Sequence, residues 1–98
     1  MHIAGVIIPG DIEDKIWRKH RVMGHEVREL FANRPAIKFR EKGKVNAKED
    51  LYTAWGQTSA GRYLIVFFIY KLTREALILS AREMIHKERK SYAKIKHQ

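Results

Sequence analysis

The segment Arg62 to Tyr70, RYLIVFFIY, constrains this chain more than any other. Eight apolar or aromatic residues follow the arginine without a polar break. Such a run, rich in β-branched and aromatic side chains, predicts a strand in the middle of a sheet covered on both faces. Ser59-Ala60-Gly61 upstream predicts a tight turn. Arg62 then stands at the mouth of the most rigid element in the chain. With 20 Lys+Arg against 11 Asp+Glu, a net charge of +9, a fixed cation on a strand end points to a phosphate-bearing partner.

The remaining segments supply partners for that strand. Ile3 to Ile8, closed by Pro9-Gly10, reads as a first strand. Asp11 can cap a helix with Ile12, Ile16 and Trp17 on its buried face and Lys15, Arg18 and Lys19 opposite, ending near Arg21. A second helix opens near Gly24, buries Val27, Leu30 and Phe31, and stops at Asn33-Arg34-Pro35. Ile37-Lys38-Phe39-Arg40 alternates as a half-buried strand should. Leu51 to Thr58, Arg62 to Tyr70 and Ala76 to Ser80 read as three more strands, and their short links predict antiparallel pairing. Ser80 and Glu83 have capping-box spacing. They predict a closing helix with Ala81, Met84, Ile85, Tyr92 and Ile95 on one stripe, fraying in its last few residues with Lys94 and Lys96. The layout is β-α-α-β-β-β-β-α: an α+β fold, one domain over residues 1–98, with helices gathered against a curved antiparallel sheet.

The composition narrows the chemistry. There is no cysteine, so disulfides and thiolate metal sites are excluded. No apolar run reaches transmembrane length, and no secretory signal is evident. The expectation is a cytoplasmic protein with no membrane partner. His2, His20, His25, His86 and His97 include no helical H-x-x-x-H pair, and no acidic cluster suits two magnesium ions. P-loop, dinucleotide-binding and nucleophile-elbow motifs are absent, so no cofactor is expected.

Three groups can carry chemistry. His20, placed between Ile16 and Trp17, reads either as a hydrogen-bonded core histidine or as a proton carrier. Arg62 reads either as a solvated hairpin arginine or as a bidentate donor to a phosphoryl group. Arg82, His86 and Arg89 share a helical stripe, with Arg82 in a first turn where the dipole disfavours a cation. Neighbouring strand ends would let Arg82 approach Arg62. Tyr52, Trp55, Tyr63, Phe67 and Phe68 can stack bases or fill the core. Arg, Lys and His without metal ligands suit one reaction in particular. RNA carries its own nucleophile, the 2′-hydroxyl, and needs only proton transfer and charge stabilisation to be cut.

WRKHRV (Trp17 to Val22), EVRELFANRP (Glu26 to Pro35), GQTSAGRYLIVFF (Gly56 to Phe68) and SAREMIHKERKSY (Ser80 to Tyr92) resemble the BrnT toxins in order and spacing. The resemblance spans nearly the whole chain. Its most specific part is S-A-R, followed six residues later by E-R and then Y. It implies a RelE-like fold and a metal-independent endoribonuclease, the toxin of a type II toxin–antitoxin pair cutting RNA, messenger RNA in the first instance. It also implies a ribbon-helix-helix (BrnA-like) antitoxin, with operator DNA bound only through the toxin–antitoxin complex. By position, the resemblance assigns catalysis to Lys19, His20, Arg62 and Arg82, and substrate contacts to Glu88, Arg89 and Tyr92. Arg62 and Arg82 would clamp the scissile phosphate while His20 or Lys19 moves a proton. Two departures stand out. The family's usual glycine after Lys-His is Arg21 here, where a left-handed turn would be strained. Pro9-Gly10-Asp11 replaces the usual opening of the first helix. The competing readings are a non-catalytic basic module for nucleic acid or an acidic protein, and a degenerate toxin that only binds its antitoxin.

Overall fold

The computed structural model describes residues 1–96. The elements follow the predicted order: β1 (Gly5–Ile7), α1 (Gly10–His20), α2 (Gly24–Ala32), β2 (Ala36–Glu41), β3 (Leu51–Gln57), β4 (Tyr63–Tyr70), β5 (Glu75–Glu83) and α3 (His86–Lys96). The class is α+β. The strands form one open sheet in the order β1-β5-β4-β3-β2, which puts the apolar run of β4 at its centre. β2, β3, β4 and β5 pair antiparallel, as expected from the short links between the last three. The sheet is mixed rather than antiparallel, because β1 joins β5 in parallel, with Val6 opposite Ala76. Two helices separate β1 from the rest of the sheet, and so long a crossover permits parallel pairing. Among the described residues no helix is long and apolar enough to cross a membrane.

Alternation along β4 sorts the core into two layers. Leu64, Val66 and Phe68 point to one face and bury against Ile16 of α1, Val22, and Val27 and Leu30 of α2. Phe68 is fully buried, edge-on to Phe31 and stacked on Tyr52. Ile65 points to the other face and clusters with Met84 and Tyr92, with Tyr63, Trp55 and Phe67 partly buried around it. The helices therefore divide, α1 and α2 on one side and α3 on the other. Phe67 and Ile69 stay only half-buried, so β4 is not covered along its whole second face as its composition suggests.

α1 ends in a left-handed αL cap. The Arg21 N–H bonds the Trp17 carbonyl at 2.9 Å and the Val22 N–H bonds the Ile16 carbonyl at 3.2 Å. Val22 and Ile16 then meet in the core, the apolar contact that accompanies this motif. Arg21 takes the left-handed conformation (φ 54°, ψ 38°) that the turn demands. Trp17 departs from the expected stripe: it is 43% exposed. Lys15, expected on the solvent face, is half-buried and donates from Nζ to the Leu79 carbonyl on β5 at 3.3 Å.

The largest correction concerns the end of β5. Ser80, Ala81, Arg82 and Glu83 continue the strand opposite Phe67, Val66, Ile65 and Leu64, so the Ser80–Glu83 capping box does not form. Ladder hydrogen bonds to a central strand outweigh a local cap. Met84 and Ile85 likewise precede the helix. The cap sits five residues further on, where Glu88 accepts from the Ile85 N–H at 2.8 Å. α3 extends through Lys94 to Lys96. The fraying expected at Lys94 and Lys96 does not occur, and the rest of that expectation lies outside the described residues.

Truncating Phe68 removes the ring that Phe31, Tyr52 and the helical layer share. Urea unfolding of Phe68→Ala should show a loss of about 3–5 kcal/mol. Phe39→Ala, at a position 57% exposed, should cost about 1 kcal/mol or less.

Candidate functional site

Arg62 sits between the β3–β4 turn and β4, its N–H bonded to Thr58 Oγ1 at 3.1 Å. Its guanidinium turns to the α1–α2 side. Nη1 donates to the Arg21 carbonyl at 2.7 Å and to Glu26 Oε1 and Oε2 at 3.0 and 3.2 Å. Nη2 donates to the His20 carbonyl at 3.1 Å and lies 3.3 Å from Glu83 Oε1. These carbonyls belong to the C-terminal turn of α1, where the backbone lacks intrahelical donors and carries partial negative charge. Glu26 also accepts from the Met23 N–H at 2.9 Å, which opens α2. One side chain thus ties both helices to β4 and β5. Burial opposes its charge, but the Glu83 and Glu26 carboxylates outweigh that and hold it above the ordinary arginine range. Both terminal guanidinium nitrogens are thus already engaged by carbonyls and carboxylates.

Arg82 serves the other face. It stands opposite Ile65, while Glu83 stands opposite Leu64 and turns back toward Arg62. Consecutive strand residues point to opposite faces, so the expected pairing of Arg62 with Arg82 does not occur. Nη1 and Nη2 of Arg82 meet Glu88 Oε1 and Oε2, each at 2.8 Å, a bidentate fork. Nη1 also donates to the Glu83 carbonyl at 3.1 Å, and the guanidinium lies 5.7 Å from the centre of the Phe67 ring. Arg82 holds the Glu88 carboxyl below the usual carboxylate range against the opposing effect of burial, and the Ile85 N–H adds to it. The same contact raises Arg82. Arg82 is not in a helix, so the dipole conflict expected for it does not arise.

The other expected residues divide. Lys19 (exposed) and His20 (half-buried) border an open depression of about 460 Å³ with Arg21, Arg82, Glu83 and Ile85. Three of the four residues assigned to catalysis therefore meet there, and Arg62 reaches it only through its hold on the His20 backbone. Tyr92 is 8% exposed and packs edge-on to Tyr63, and burial raises its phenol. Arg89 is exposed and lies 4.2 Å from the Tyr63 ring centre. Glu88 is Arg82's partner and the cap of α3. His86, expected on a stripe with Arg82, opens α3 and is exposed.

Sequence reasoning missed the most organised surface. On the α3 side of the sheet, Lys38 Nζ lies 4.5 Å from the Trp55 ring centre, and the Arg40 guanidinium 5.3 Å from Phe67. Arg82 and Arg89 extend this array over Phe67 and Tyr63. The Trp55 Nε1–H bonds Thr53 Oγ1 at 2.8 Å, which fixes the indole. Among the described residues no carboxylate pairs with Lys38, Arg40 or Arg89. The signal is the alternation Ile37-Lys38-Phe39-Arg40, which places Lys38 and Arg40 on one face of β2. Among the described residues no group of three or more His, Asp or Glu is placed to hold a metal ion.

Two outcomes separate anchoring from substrate contact. Arg62→Ala strips Glu26 and two carbonyls of their donor and should lower stability by about 1.5–3 kcal/mol in chemical denaturation. Glu88 contributes the pH dependence of a depressed carboxyl. Its stabilisation is fully present above the ordinary glutamate value near 4.3 and is lost as pH falls through the lower folded value. Glu88→Gln should be less stable at pH 7 and should lose less between about pH 5 and pH 3 than the unaltered chain.

No protein-family model matches the chain, and no curated protein matches it either, so a functional reading rests on this geometry and on the sequence pattern.

Proposed function

We propose that the chain is a metal-independent endoribonuclease of the BrnT-like, RelE-like toxin kind, and that its RNA surface is the α3-side face of the sheet. The observation that carries this reading is the array of Lys38, Arg40, Arg82 and Arg89 lying over Trp55, Phe67 and Tyr63. Single-stranded nucleic acid is bound by this combination, cations for the phosphates and rings for the bases. The net charge of +9 draws the polymer in.

The chemistry asks little of the protein. The 2′-oxygen attacks the adjacent phosphorus, the bond to the 5′-oxygen breaks, and a 2′,3′-cyclic phosphate remains. A base removes the 2′ proton and an acid returns one to the leaving 5′-oxygen. Arg82, aimed by Glu88, and Arg40 beside it on Phe67 offset the charge that gathers on the phosphorane oxygens. Lys19 and His20, across the depression from Arg82, are the proton carriers. Arg62 acts through position, holding the α1 terminus that presents them. A ribbon-helix-helix antitoxin is the partner this reading implies, and a cytoplasmic setting goes with it.

A second reading is a non-catalytic RNA-binding module on the same face. The bidentate hold of Glu88 on Arg82 favours it, because it leaves that arginine fewer donors for a phosphate.

Incubating the purified protein with single-stranded RNA in EDTA separates the two. Cleavage should occur and fall at least about 10-fold in Lys38→Ala/Arg40→Ala, with the thermal melt nearly unchanged. The slope of log affinity against log salt should shrink by roughly 1.4, the loss of two phosphate contacts on a single strand. Binding without cleavage supports the module, and absence of both overturns the RNA reading.

A further inference from the structure

The turn after α1 is built against the preference of its own residue. Its two capping bonds use only backbone groups, and its geometry asks for φ near +54° at Arg21. A side chain there is strained, and glycine would not be. Among the described residues the Arg21 side chain makes no hydrogen bond within the turn. Among the described residues its guanidinium pairs with no carboxylate. It is exposed and lies 5.1 Å from the centre of the Trp17 ring. That ring is 43% exposed, on a helix whose other large apolar side chains turn inward. Arg34 and Arg74 share the positive φ, but among the described residues neither lies over a ring.

Strain of this kind persists where a side chain is used for something else. Arg21 borders the same depression as Lys19, His20 and Arg82. Arg82 in turn borders the sheet face through Phe67. Trp17 lies against Arg21 just outside that depression.

We propose that Arg21 and Trp17 form a flanking RNA contact, the guanidinium meeting a phosphate and the free face of the indole stacking a base. This inference rests on reading the sheet face as the RNA surface. It adds a contact that lengthens the bound segment around the edge of β5. Stacking and cation–aromatic contact are what an exposed Arg–Trp pair offers a single strand.

The test uses the full chain, Arg21→Gly, and two fluorescent single-stranded RNAs of about four and about fifteen nucleotides. Arg21→Gly relieves the strain and should raise the Tm by about 2–5 °C. It should weaken the longer RNA about 3–10-fold and leave the shorter one unchanged. Arg18→Gln removes one charge from the same helix and should weaken the longer RNA no more than about 2-fold. Unaltered binding of the longer RNA by Arg21→Gly overturns the inference and leaves the pair to a protein partner. Equal losses on both RNAs, or an equal loss in Arg18→Gln, overturn it in favour of diffuse charge. A lowered Tm in Arg21→Gly overturns the strain premise. If Lys38→Ala/Arg40→Ala binds the short RNA as well as the unaltered chain does, the sheet-face reading fails and this inference falls with it.

Discussion

The period of two along β4 and β5 decides where every other group goes. β4 is central, so its alternate side chains must meet two different surroundings. Leu64, Val66 and Phe68 enter the layer beneath α1 and α2, while Tyr63, Ile65 and Phe67 face α3. β5 repeats the division one strand over, with Ala81 and Glu83 on the first side and Arg82 on the second. Slipping β5 by one residue would exchange Arg82 with Glu83, breaking both the Glu88 fork and the Glu83 contact to Arg62. The polar and apolar sets therefore specify the same register.

That division gives two arginines different work. Arg62 joins the end of α1, the start of α2 and β5 through two carbonyls and two carboxylates. Its role is to place Lys19 and His20 relative to the sheet. Arg82 is held by Glu88 near the Phe67 ring, and the same glutamate caps α3. Setting the helix and setting the arginine are thus one event, and α3 cannot move far without releasing Arg82. Lys38, Arg40 and Arg89 lie over rings and, among the described residues, pair with no carboxylate, which keeps their charge available to a ligand.

Local patterns carried much of this into the sequence. The eight elements and their order follow from apolar runs, alternation and turn residues. The parallel β1 did not, because nothing within six residues says which distant strand they join. The β5–α3 boundary was misplaced because S-x-x-E at Ser80–Glu83 reads as a cap, and only pairing with β4 shows that those residues stay extended. Arg62 and Arg82 looked like partners from the proximity of their strand ends. Which face each occupies depends on register, which sequence spacing alone does not supply across a hairpin with a bulge at Phe67/Phe68. The cation–aromatic array was invisible for a related reason: Lys38 and Trp55, or Arg40 and Phe67, are distant in sequence and meet only across strands. The strain at Arg21 was legible only through the resemblance to a family that carries glycine after Lys-His.

Titration of isotope-labelled protein with a short single-stranded RNA in EDTA, followed by backbone and indole NMR shifts, tests the central claim most directly. The indole N–H of Trp55, bonded to Thr53 on the sheet face, should shift with Lys38, Arg40, Phe67 and Arg82, while amides of the buried α2 face stay still. Shifts confined to the α1–α2 side, or a Trp55 indole indifferent to saturating RNA, would contradict it.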